Sequence, residues 1–600
     1  MSTRPRVRAP ELVGRGWLGT GGETLGLADF RGRFLLLDFW TFCCVNCLHV
    51  LDELRPLEDR WADELVVVGV HSPKFVHEAD PAALAAAVER YEVTHPVLDD
   101  PDLQTWQAYT ARAWPTLVLV DPEGYVVAQY AGEGHVHAID ALLADLVPRH
   151  HARGTLDTSD ARWPTPITEA PHGALRFPAK AVALPGGTFL VADAGRHRLT
   201  ELAADAETVV RRIGGPARGL ADGGPDDTRF SEPNGLCLLP DDVAAEVGYD
   251  VVVADTVNHA LRGVRLADGS VSTLAGDGTQ WMPGDDSTHL SSPWDVAWWR
   301  DRVWVAMAGV HQLWAFDPRT GTVEAAAGTT NEGLVDGPAD QAWFAQTSGL
   351  AADGDRLWLA DSEVSALRWL DAEGTVGTAV GRGLFDFGFR DGPAAEALLQ
   401  HPLGVTVLPD GSVAICDTYN GAVRRYDPAT GEVSTLARDL AEPSGAVVAR
   451  DLLLVVESTG HRLTGVPLGA AGTAVDGFAH TTQRPVTELA PGSVVLEVAF
   501  TPPPGQKVDD RFGPATQLVV SATPPALLRA GEGRDTALVR TLELDPAVGD
   551  GVLHVAARAA SCDADPAVEG AACHVHQQDW GIPVRLVPGA PTRLDLPLGG

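Results

Sequence analysis

The first quarter of the chain alternates between apolar runs and segments in which apolar residues recur with helical spacing. Runs of strand length lie at Phe34–Phe39, Leu65–Val70, Thr116–Val120 and Tyr125–Tyr130. Helical spacing occurs at Cys47–Trp61, Pro81–Tyr91, Leu103–Tyr109 and Ala138–Val147. Alternation of strands and helices predicts one α/β domain over residues 1–150, with a central sheet covered by helices.

A different pattern fills residues 172–470 and repeats six times. Each unit opens on a proline-type turn, continues as an apolar strand, and closes on a small residue followed by an acid. The closing acids are Asp193, Asp255, Asp361, Asp417 and Glu457, with Met307 in the third unit. Units that cannot bury both faces alone pack radially, so the repeats predict a six-bladed β-propeller.

Two positions in these repeats carry candidate chemistry. A carboxylate at the end of a strand can accept hydrogen bonds from turn N–H groups, so we predict a structural role for the acids. A histidine stands four residues after the closing position in four units, at His197, His259, His311 and His461, and in the third unit that position is Met307. Packing between blades is the favoured interpretation of these histidines, and a channel metal is the alternative.

The rest of the chain contains a linker and a third domain. Residues 151–171 are rich in proline and lack periodicity, which is typical of a linker. Residues 480–600 contain only strand-like segments between Pro/Gly turns, which predicts an antiparallel β-sandwich. They are Val494–Thr501, Thr516–Ser521, Arg540–Leu544, Val552–Ala559 and Ile582–Val587.

Composition limits the partners. The formal net charge of −36 argues against nucleic acid and anionic membranes. Residues 1–17 lack the apolar segment of a secretory signal, and no apolar run approaches the ~18 residues of a spanning helix. We therefore expect a cytoplasmic protein. Seven cysteines in 600 residues do not form a disulfide scaffold.

Three of those cysteines fall within five residues, at Cys43, Cys44 and Cys47. Cys44 and Cys47 form a C-x-x-C between a predicted strand and a predicted helix. A thiol at a helix start faces unpaired N–H groups and the positive end of the helix dipole. That position favours the thiolate, which is the form that attacks disulfides.

This stretch resembles the thioredoxin-like proteins. Asp38, Phe39 and Trp40 followed by the two cysteines match the family pattern, and Trp114-Pro115-Thr116 looks like its cis-proline segment. The resemblance implies that Cys44 attacks, that Cys47 resolves, and that Asp38 is the buried acid that helps to deprotonate Cys47. Pro115 would help to present the substrate backbone. Cys43 replaces the usual tryptophan and Val45-Asn46 the common Gly-Pro, which leaves the redox potential open.

Other interpretations of the cysteines remain. One alternative is a thioredoxin fold that carries the motif without activity, and another is a metal site formed by Cys43, Cys44, Cys47 and His49. The metal hypothesis is disfavoured because adjacent cysteines rarely contact one ion and no second ligand pair completes the set. We therefore expect neither a metal nor a cofactor. Cys43 is interpreted as a small apolar filler or as a third redox thiol.

The six units resemble NHL repeats. The order of thioredoxin-like domain, NHL repeats and β-sandwich, with the pattern Cys-Cys-x-Asn-Cys, resembles the family of NHL-repeat-containing protein two. The resemblance implies a thiol–disulfide oxidoreductase whose propeller recruits protein clients or partners. The alternative is a non-enzymatic interaction scaffold with an inactive thioredoxin fold.

The last candidates are Cys562 and Cys573, which flank a polar loop between two strand-like segments. A zinc site with His574 and His576 is disfavoured because neighbouring residues in a strand point to opposite faces. Two cysteines opposite each other across a hairpin can form a disulfide. We predict a reversible pair and, as an accessory redox role, exchange of electrons with Cys44 and Cys47.

Overall fold

The structure is a computed structural model that describes residues 7–157, 173–282, 289–384, 386–469, 472–481, 486–502, 506–508, 514–563 and 573–598. The chain divides into two compact units, one formed by residues 1–168 with 483–600 and the other by residues 169–482. The domain boundaries at 150, 172, 470 and 480 stay predictions. Within the described ranges, no helix combines the length and the apolar character that crossing a membrane requires.

The N-terminal segment forms one seven-stranded sheet with helices. Its strands are β1 (Val7–Arg8), β2 (Gly16–Leu18), β3 (Phe34–Trp40), β4 (Leu65–His71), β5 (Val97–Asp99), β6 (Thr116–Val120) and β7 (Tyr125–Ala131). Its helices are α1 (Val45–Arg60), α2 (Pro81–Arg90), α3 (Gln104–Ala108) and α4 (Val136–Arg153). The sheet order is β1-β7-β6-β3-β4-β5-β2.

The central strand β3 explains the apolar run that was recognised in the sequence. It pairs in parallel with β4 and antiparallel with β6, and all seven of its residues are buried. A strand that is covered on both faces has no polar side, so its sequence is continuously apolar. Strands β1, β2 and β5 were not predicted because two or three residues carry no readable period.

The start of the predicted linker coincides with the end of helix α4. Helix α4 continues through Pro148 to Arg153, so residues 151–153 are helical. The buried ring of His150 packs edge-on against Phe34 and its Nδ1 lies 2.8 Å from the Thr155 hydroxyl, which holds the last turn on the sheet. The remainder of the predicted linker, from residue 158, lies outside the described residues.

The repeat region consists of six successive antiparallel sheets, numbered here as repeat sheets 1–6. Sheets 1–3 contain the strands Ala181–Ala183, Phe189–Asp193, Arg198–Leu202 and Val209–Ile213; Pro233–Leu238, Val251–Asp255, Ala260–Val264 and Val271–Ala275; and Pro293–Trp299, Arg302–Met307, Gln312–Asp317 and Thr322–Ala327. Sheets 4–6 contain Thr347–Ala352, Arg356–Asp361, Ala366–Asp371 and Thr375–Val380; Gly404–Val407, Val413–Asp417, Ala422–Asp427 and Glu432–Ala437; and Pro443–Ala449, Leu452–Glu457 and Arg462–Pro467.

Four further strands and an α-helix lie in the described part of this region. Gly337–Pro338 and Gly392–Pro393 extend repeat sheets 4 and 5, and Asp386–Arg390 pairs with Asp476–Thr481. The helix Asp241–Val247 lies between the first two strands of repeat sheet 2.

The repeated acids are buried at the ends of second strands, where each binds backbone N–H groups. Asp361 illustrates the arrangement: its Oδ1 accepts from the N–H of Ala345 at 2.9 Å, and its Oδ2 accepts from the buried Arg368 at 2.9 Å. Arg368 also donates to Asp336, the acid of the Asp-Gly loop before the sheet. The same pair of bonds occurs in sheets 2 and 5. Arg262 donates to Asp255 and Asp222, and Arg424 donates to Asp417 and Asp391.

The third unit replaces both members of the buried pair. Met307 stands where the other units have an acid, and Trp314, seven residues later, stands where Arg262, Arg368 and Arg424 stand in theirs. Both side chains are buried, and the Trp314 Nε1–H donates to the Gln312 side chain at 3.0 Å. An apolar pair therefore takes the place of an ion pair without leaving a buried charge unpaired.

The C-terminal segment forms two sheets around one apolar core. One contains Thr487–Leu489, Cys573–Leu586, Asp550–Asp563, Thr516–Thr523 and Gly533–Asp535, with Gln506–Val508 against the third of these; the other contains Leu528–Ala530, Val539–Leu544, Gly492–Phe500 and Arg593–Leu598. The prediction of a purely antiparallel sandwich is wrong for two strand pairs, which are parallel. In each pair the chain passes through the other sheet before returning, so the second strand enters from the same end.

Candidate active site

The cysteine motif lies in the turn between β3 and α1. Cys44 is the N-cap residue of α1, in extended conformation, and its carbonyl accepts from the N–H groups of Cys47 at 3.0 Å and Leu48 at 3.2 Å. One helical turn therefore separates the two thiols and brings them together on one side of the helix start. Both are free thiols and both are buried, as is Cys43.

Asp38 lies in β3 next to this turn and is completely buried. Neither of its carboxyl oxygens has a hydrogen-bond partner within the described part of the chain. Burial, and then the negative charge of Glu58, raises the pKa of Asp38 to about 8. Burial, the contact with Cys44 and the charge of Asp38 raise the pKa of Cys47 well above its usual range. The Asp38 carboxyl and the Cys47 thiol therefore both hold their protons more tightly than usual in the same apolar interior.

The segment before β6 closes the other side of the motif. The Trp114–Pro115 peptide bond is cis, and the Trp114 carbonyl lies 4.0 Å from the Cys44 sulfur. The Pro115 carbonyl accepts from the N–H of Gly132 at 2.8 Å, which fixes the loop after β7 beside it. The structure thus brings the Trp114 carbonyl, which precedes Pro115, to Cys44 across 70 residues of sequence.

A buried carboxylate that the sequence analysis missed anchors the turn. Glu78 is fully buried in the short 3-10 helix His77–Ala79. Its Oε1 accepts from the Thr41 hydroxyl at 2.6 Å and from the Cys43 N–H at 2.9 Å. Its Oε2 accepts from the N–H groups of Lys74 at 2.8 Å and Phe75 at 3.0 Å. Glu78 therefore joins the cysteine turn to the loop after β4.

No signal in the sequence distinguishes Glu78 from other acids, because its partners are mostly backbone N–H groups of two loops. Glu58 was also missed, and its role follows only from its distance to Asp38 in the fold. The indole of Trp106 is a third omission, since it stacks on Trp114 with ring centroids 4.2 Å apart. The sequence predicted only that Trp106 belongs to a helical segment.

The histidine of the metal hypothesis has another partner here. His49 Nδ1 lies 2.5 Å from Glu133 Oε2, and the Glu133 carboxylate raises the pKa of His49 against the effect of its burial. Within the described ranges, no cluster of metal-ligating side chains includes Cys44 or Cys47. The repeat histidines also bind protein atoms: the Nδ1 of His259 accepts from the N–H of Ser292, 3.0 Å away.

The C-terminal cysteines occupy opposite positions in the strand register of a hairpin. Cys562 and Cys573 are direct Cα partners in the antiparallel pair Asp550–Asp563 and Cys573–Leu586. Cys562 is buried and disulfide-bonded. Direct partners in such a ladder have Cα atoms about 4.5–5.5 Å apart, within the limit for a disulfide. The predicted reversibility and electron exchange are not decided by these positions, and residues 564–572 between them lie outside the described ranges.

Comparison with known proteins shows two family models in this chain. A model described as the AhpC/TSA family matches residues 6–129, and a model described as the NHL repeat matches residues 399–426. The first covers the thioredoxin-like segment with the Cys44–Cys47 motif and Pro115. The second covers the end of the loop before repeat sheet 5 and its first three strands.

Three similar proteins extend these matches. The Protein SUPPRESSOR OF QUENCHING 1, chloroplastic, of Arabidopsis thaliana is 35% identical over 500 residues, which is 77% of this chain and 47% of that protein. The NHL repeat-containing protein 2 of Homo sapiens is 31% identical over 514 residues, 76% of this chain and 70% of that protein. The thiol-disulfide oxidoreductase YkuV of Bacillus subtilis is 27% identical over 128 residues, 21% of this chain and 85% of that protein. The chain thus spans about half the length of the Arabidopsis protein.

Proposed function

The chain belongs to the family of NHL repeat-containing protein 2, and from that premise we propose that it is a thiol–disulfide oxidoreductase with Cys44 and Cys47 as its redox pair. The observation that carries the proposal is the burial of both Cys47 and Asp38 in one site, where the charge of Asp38 contributes to raising the pKa of Cys47. A carboxyl that is buried without a hydrogen-bond partner is costly to keep. A scaffold would not need it, whereas a resolving thiol needs a group that takes its proton.

The proposed reaction proceeds in two exchanges. The Cys44 thiolate attacks a client disulfide, a Cys44–client disulfide forms, and the client's other sulfur leaves as a thiolate. The Cys47 proton passes to Asp38, and the Cys47 thiolate then attacks the Cys44 sulfur. The client leaves with two thiols, and Cys44–Cys47 becomes the disulfide. A carboxyl with a pKa of about 8 is partly ionised at neutral pH and can accept this proton.

The proposal assigns client binding to the surface beside Cys44. Pro115 and the Trp114 carbonyl next to the Cys44 sulfur present backbone groups to an extended peptide. The carboxylate of Glu78 holds the Cys43 N–H and so positions the turn that carries the thiol. In this proposal Cys43 is a packing residue of that turn.

We propose that repeat sheets 1–6 form a six-bladed propeller. The first support is a set of equivalent hydrogen bonds between successive sheets. In each bond, the Nδ1 of a histidine in one sheet accepts from a backbone N–H in the segment that leads into the first strand of the next sheet. The pairs are His197 with Glu232, His259 with Ser292, His311 with Gln346, and His461 with Phe177. The last pair joins sheet 6 to the segment before sheet 1, as a closed ring requires.

The second support is a lysine at the centre of the proposed ring. Lys180, ahead of sheet 1, reaches Asp295 of sheet 3 at 3.5 Å and donates to the Leu403 carbonyl before sheet 5. One side chain from the segment before sheet 1 thus contacts sheet 3 and the segment before sheet 5, which supports an arrangement of the sheets around a common axis.

The proposal further includes protein clients or partners on the repeat sheets and a cytoplasmic location. Five of the seven cysteines, including Cys237 and Cys416 in the repeats, are free thiols, which fits a reducing compartment.

Reduction of insulin disulfides by the full-length chain, with dithiothreitol as the electron donor that reduces the Cys44–Cys47 disulfide again, tests the activity. We expect turnover by the wild type, loss of turnover with Cys44→Ser, and a trapped mixed disulfide with Cys47→Ser. Cys416→Ser is the matched control and retains activity. A wild type with no more activity than Cys44→Ser, together with no trapped client for Cys47→Ser, would establish the scaffold alternative.

A further inference from the structure

Asp38 can accept the proton of Cys47 only if its own proton can leave the protein interior. The Asp38 side chain is completely buried, and with a pKa of about 8 its carboxyl is mostly protonated at neutral pH. Before each transfer from Cys47, the Asp38 proton must therefore pass to another group that can exchange it with water. Such a group has to be titratable, close to Asp38 and partly exposed.

The pairing of β3 with β4 shows which side chains lie close to Asp38. Asp38 pairs in parallel with Gly69, so both residues point to the same face of the sheet, on strands about 4.8 Å apart. An ideal Cβ at Gly69 would lie 3.3 Å from His95 Nε2 and 2.8 Å from Trp40 Nε1. The backbone fixes this approach, because the Gly69 N–H donates at 3.0 Å to the carbonyl of Pro96, the residue after His95. The glycine thus allows the His95 ring to occupy the place beside Asp38.

His95 in turn holds Glu58 of α1. The Nδ1 of His95 lies 3.2 Å from Glu58 Oε1, and because an ionised carboxylate only accepts hydrogen bonds, Nδ1 is the donor. The His95 side chain is 5% exposed and the Glu58 side chain is 24% exposed. The charge of Glu58 also raises the pKa of Asp38, which requires the two carboxyl groups to be close. Glu58 is therefore near the buried acid and in contact with solvent at the same time.

The other titratable groups on this face of the sheet are shielded from solvent. Cys47 of α1 and His71 of β4 are completely buried, and the His71 ring packs against the rings of Trp40 and Phe42. Burial lowers the pKa of His71 to about 3, so this side chain stays neutral at physiological pH. Of the described groups that face Asp38 from α1, β4 and the segment before β5, Glu58 is the one with substantial contact with water.

We propose that Glu58 carries the proton between Asp38 and solvent, and that His95 is the positioning residue that holds Glu58 at this site. The Asp38 carboxyl gives its proton to the Glu58 carboxylate, and Glu58 releases that proton to water. The ionised Asp38 then takes the proton of Cys47. The purpose of this route rests on the proposed oxidoreductase function, although the movement of the proton can be measured without a client.

Stopped-flow reaction of the full-length protein with dithiobis(nitrobenzoate) separates the two thiol steps, because attack by Cys44 releases one thionitrobenzoate and attack by Cys47 releases the second. We expect Glu58→Gln and His95→Phe to slow the second release about tenfold at pH 6.5 and to leave the first release unchanged. At pH 9 most Asp38 is already ionised, so the variants should match the wild type. Loss of the Glu58 charge alone would lower the pKa of Asp38 and speed the second release, so an electrostatic role and a carrier role predict opposite signs.

A pH jump followed by infrared spectroscopy reads the route without thiol chemistry. The band of the protonated Asp38 carboxyl, assigned with Asp38→Asn, should disappear about tenfold more slowly in Glu58→Gln and His95→Phe than in the wild type. Asp59→Asn, at the exposed acid next to Glu58, and His137→Phe, at an exposed histidine of α4, are the matched controls. Circular dichroism melting shows whether each variant has kept its fold.

Three results would overturn the proposal. They are a second release that Glu58→Gln leaves unchanged or speeds up, a slowing that is equal at pH 6.5 and pH 9, and infrared rates that do not differ between the wild type and the variants. A loss of rate in Glu58→Gln without one in His95→Phe would overturn the positioning role of His95. A wild type that lacks the second release but shows the expected difference in infrared rates would overturn the oxidoreductase function and support the proton route.

Discussion

His461 accepts a hydrogen bond at Nδ1 from the backbone N–H of Phe177, 284 residues earlier in the chain, at 3.0 Å. The two rings also meet edge-on, with centroids 4.7 Å apart. The bond links the last repeat sheet to the entry of the first. It is the longest-range member of a set that otherwise joins consecutive sheets.

Replacing His461 with alanine is expected to loosen both ends of the repeat region. The loss of a hydrogen bond that leaves a buried N–H without its acceptor costs about 1–2 kcal/mol. Hydrogen exchange followed by mass spectrometry should therefore speed up about five- to thirtyfold in peptides from sheets 1 and 6 together. His137→Ala, at an exposed position in α4, is the control. Acceleration confined to sheet 6 would contradict a closed ring.

Because of Asp38, the free energy of unfolding should fall as the pH rises. Its pKa is about 8 in the fold and 3.8 without it, so between these values the folded state retains a proton that the unfolded state has lost. Its contribution is fully present below pH 3.8 and is lost as pH rises to about 8, by up to about 1.4 kcal/mol per pH unit. Asp38→Asn removes this dependence. Thermal unfolding at pH 5 and pH 8 should show the variant gaining on the wild type at the higher pH; equal differences at both would refute the shift.

Glu78→Gln should disturb the cysteine turn. The amide offers one acceptor oxygen where the carboxylate offers two, and its NH2 group faces N–H donors, so we expect a loss of about 2–4 kcal/mol. Alkylation of Cys44 by iodoacetamide should become faster as the turn opens, with Cys47 still slower than Cys44. Glu23→Gln, at an exposed acid, controls for the charge. Unchanged melting and unchanged alkylation would remove the anchoring role.

The buried pair Asp361–Arg368 should be strongly coupled. Asp361→Met leaves the guanidinium without its buried partner and is expected to cost about 3–5 kcal/mol. Adding Arg368→Trp reproduces the Met307 and Trp314 combination, so the double variant should lose less than the sum of the single variants. Chemical denaturation measures the cycle. The exposed pair Asp410–Arg425 is the control and should contribute below about 1 kcal/mol. Additive losses at Asp361 and Arg368 would contradict the pairing.

Cys562 and Cys573 are expected to open and close reversibly and to exchange electrons with Cys44 and Cys47. Mass spectrometry after graded oxidation should find the C-terminal disulfide forming in the wild type. It should form more slowly in Cys44→Ser, because the N-terminal pair then cannot accept its electrons. Cys237→Ser is the control. A C-terminal pair that stays reduced while Cys44–Cys47 oxidises would rule out the exchange.

The sequence was informative where a side-chain pattern follows the backbone geometry. The apolar run of β3, the cysteines at the start of α1 and the second strands that end on an acid were all legible, because each depends on local periodicity or turn chemistry. What escaped prediction depends on contacts between distant segments. Glu78 accepts hydrogen bonds from two loops, and the charge of Glu58 raises the pKa of Asp38. The parallel strand Arg593–Leu598 depends on the path of the chain between two sheets.

The third repeat sheet has a consequence for how the gene can change. Met307 and Trp314 occupy the positions that hold an acid and an arginine in sheets 2, 4 and 5. Exchanging only one member in sheet 3, Met307 for an acid or Trp314 for an arginine, would bury a charge without its partner. The apolar form and the ionic form therefore interconvert without that cost only when both positions change together.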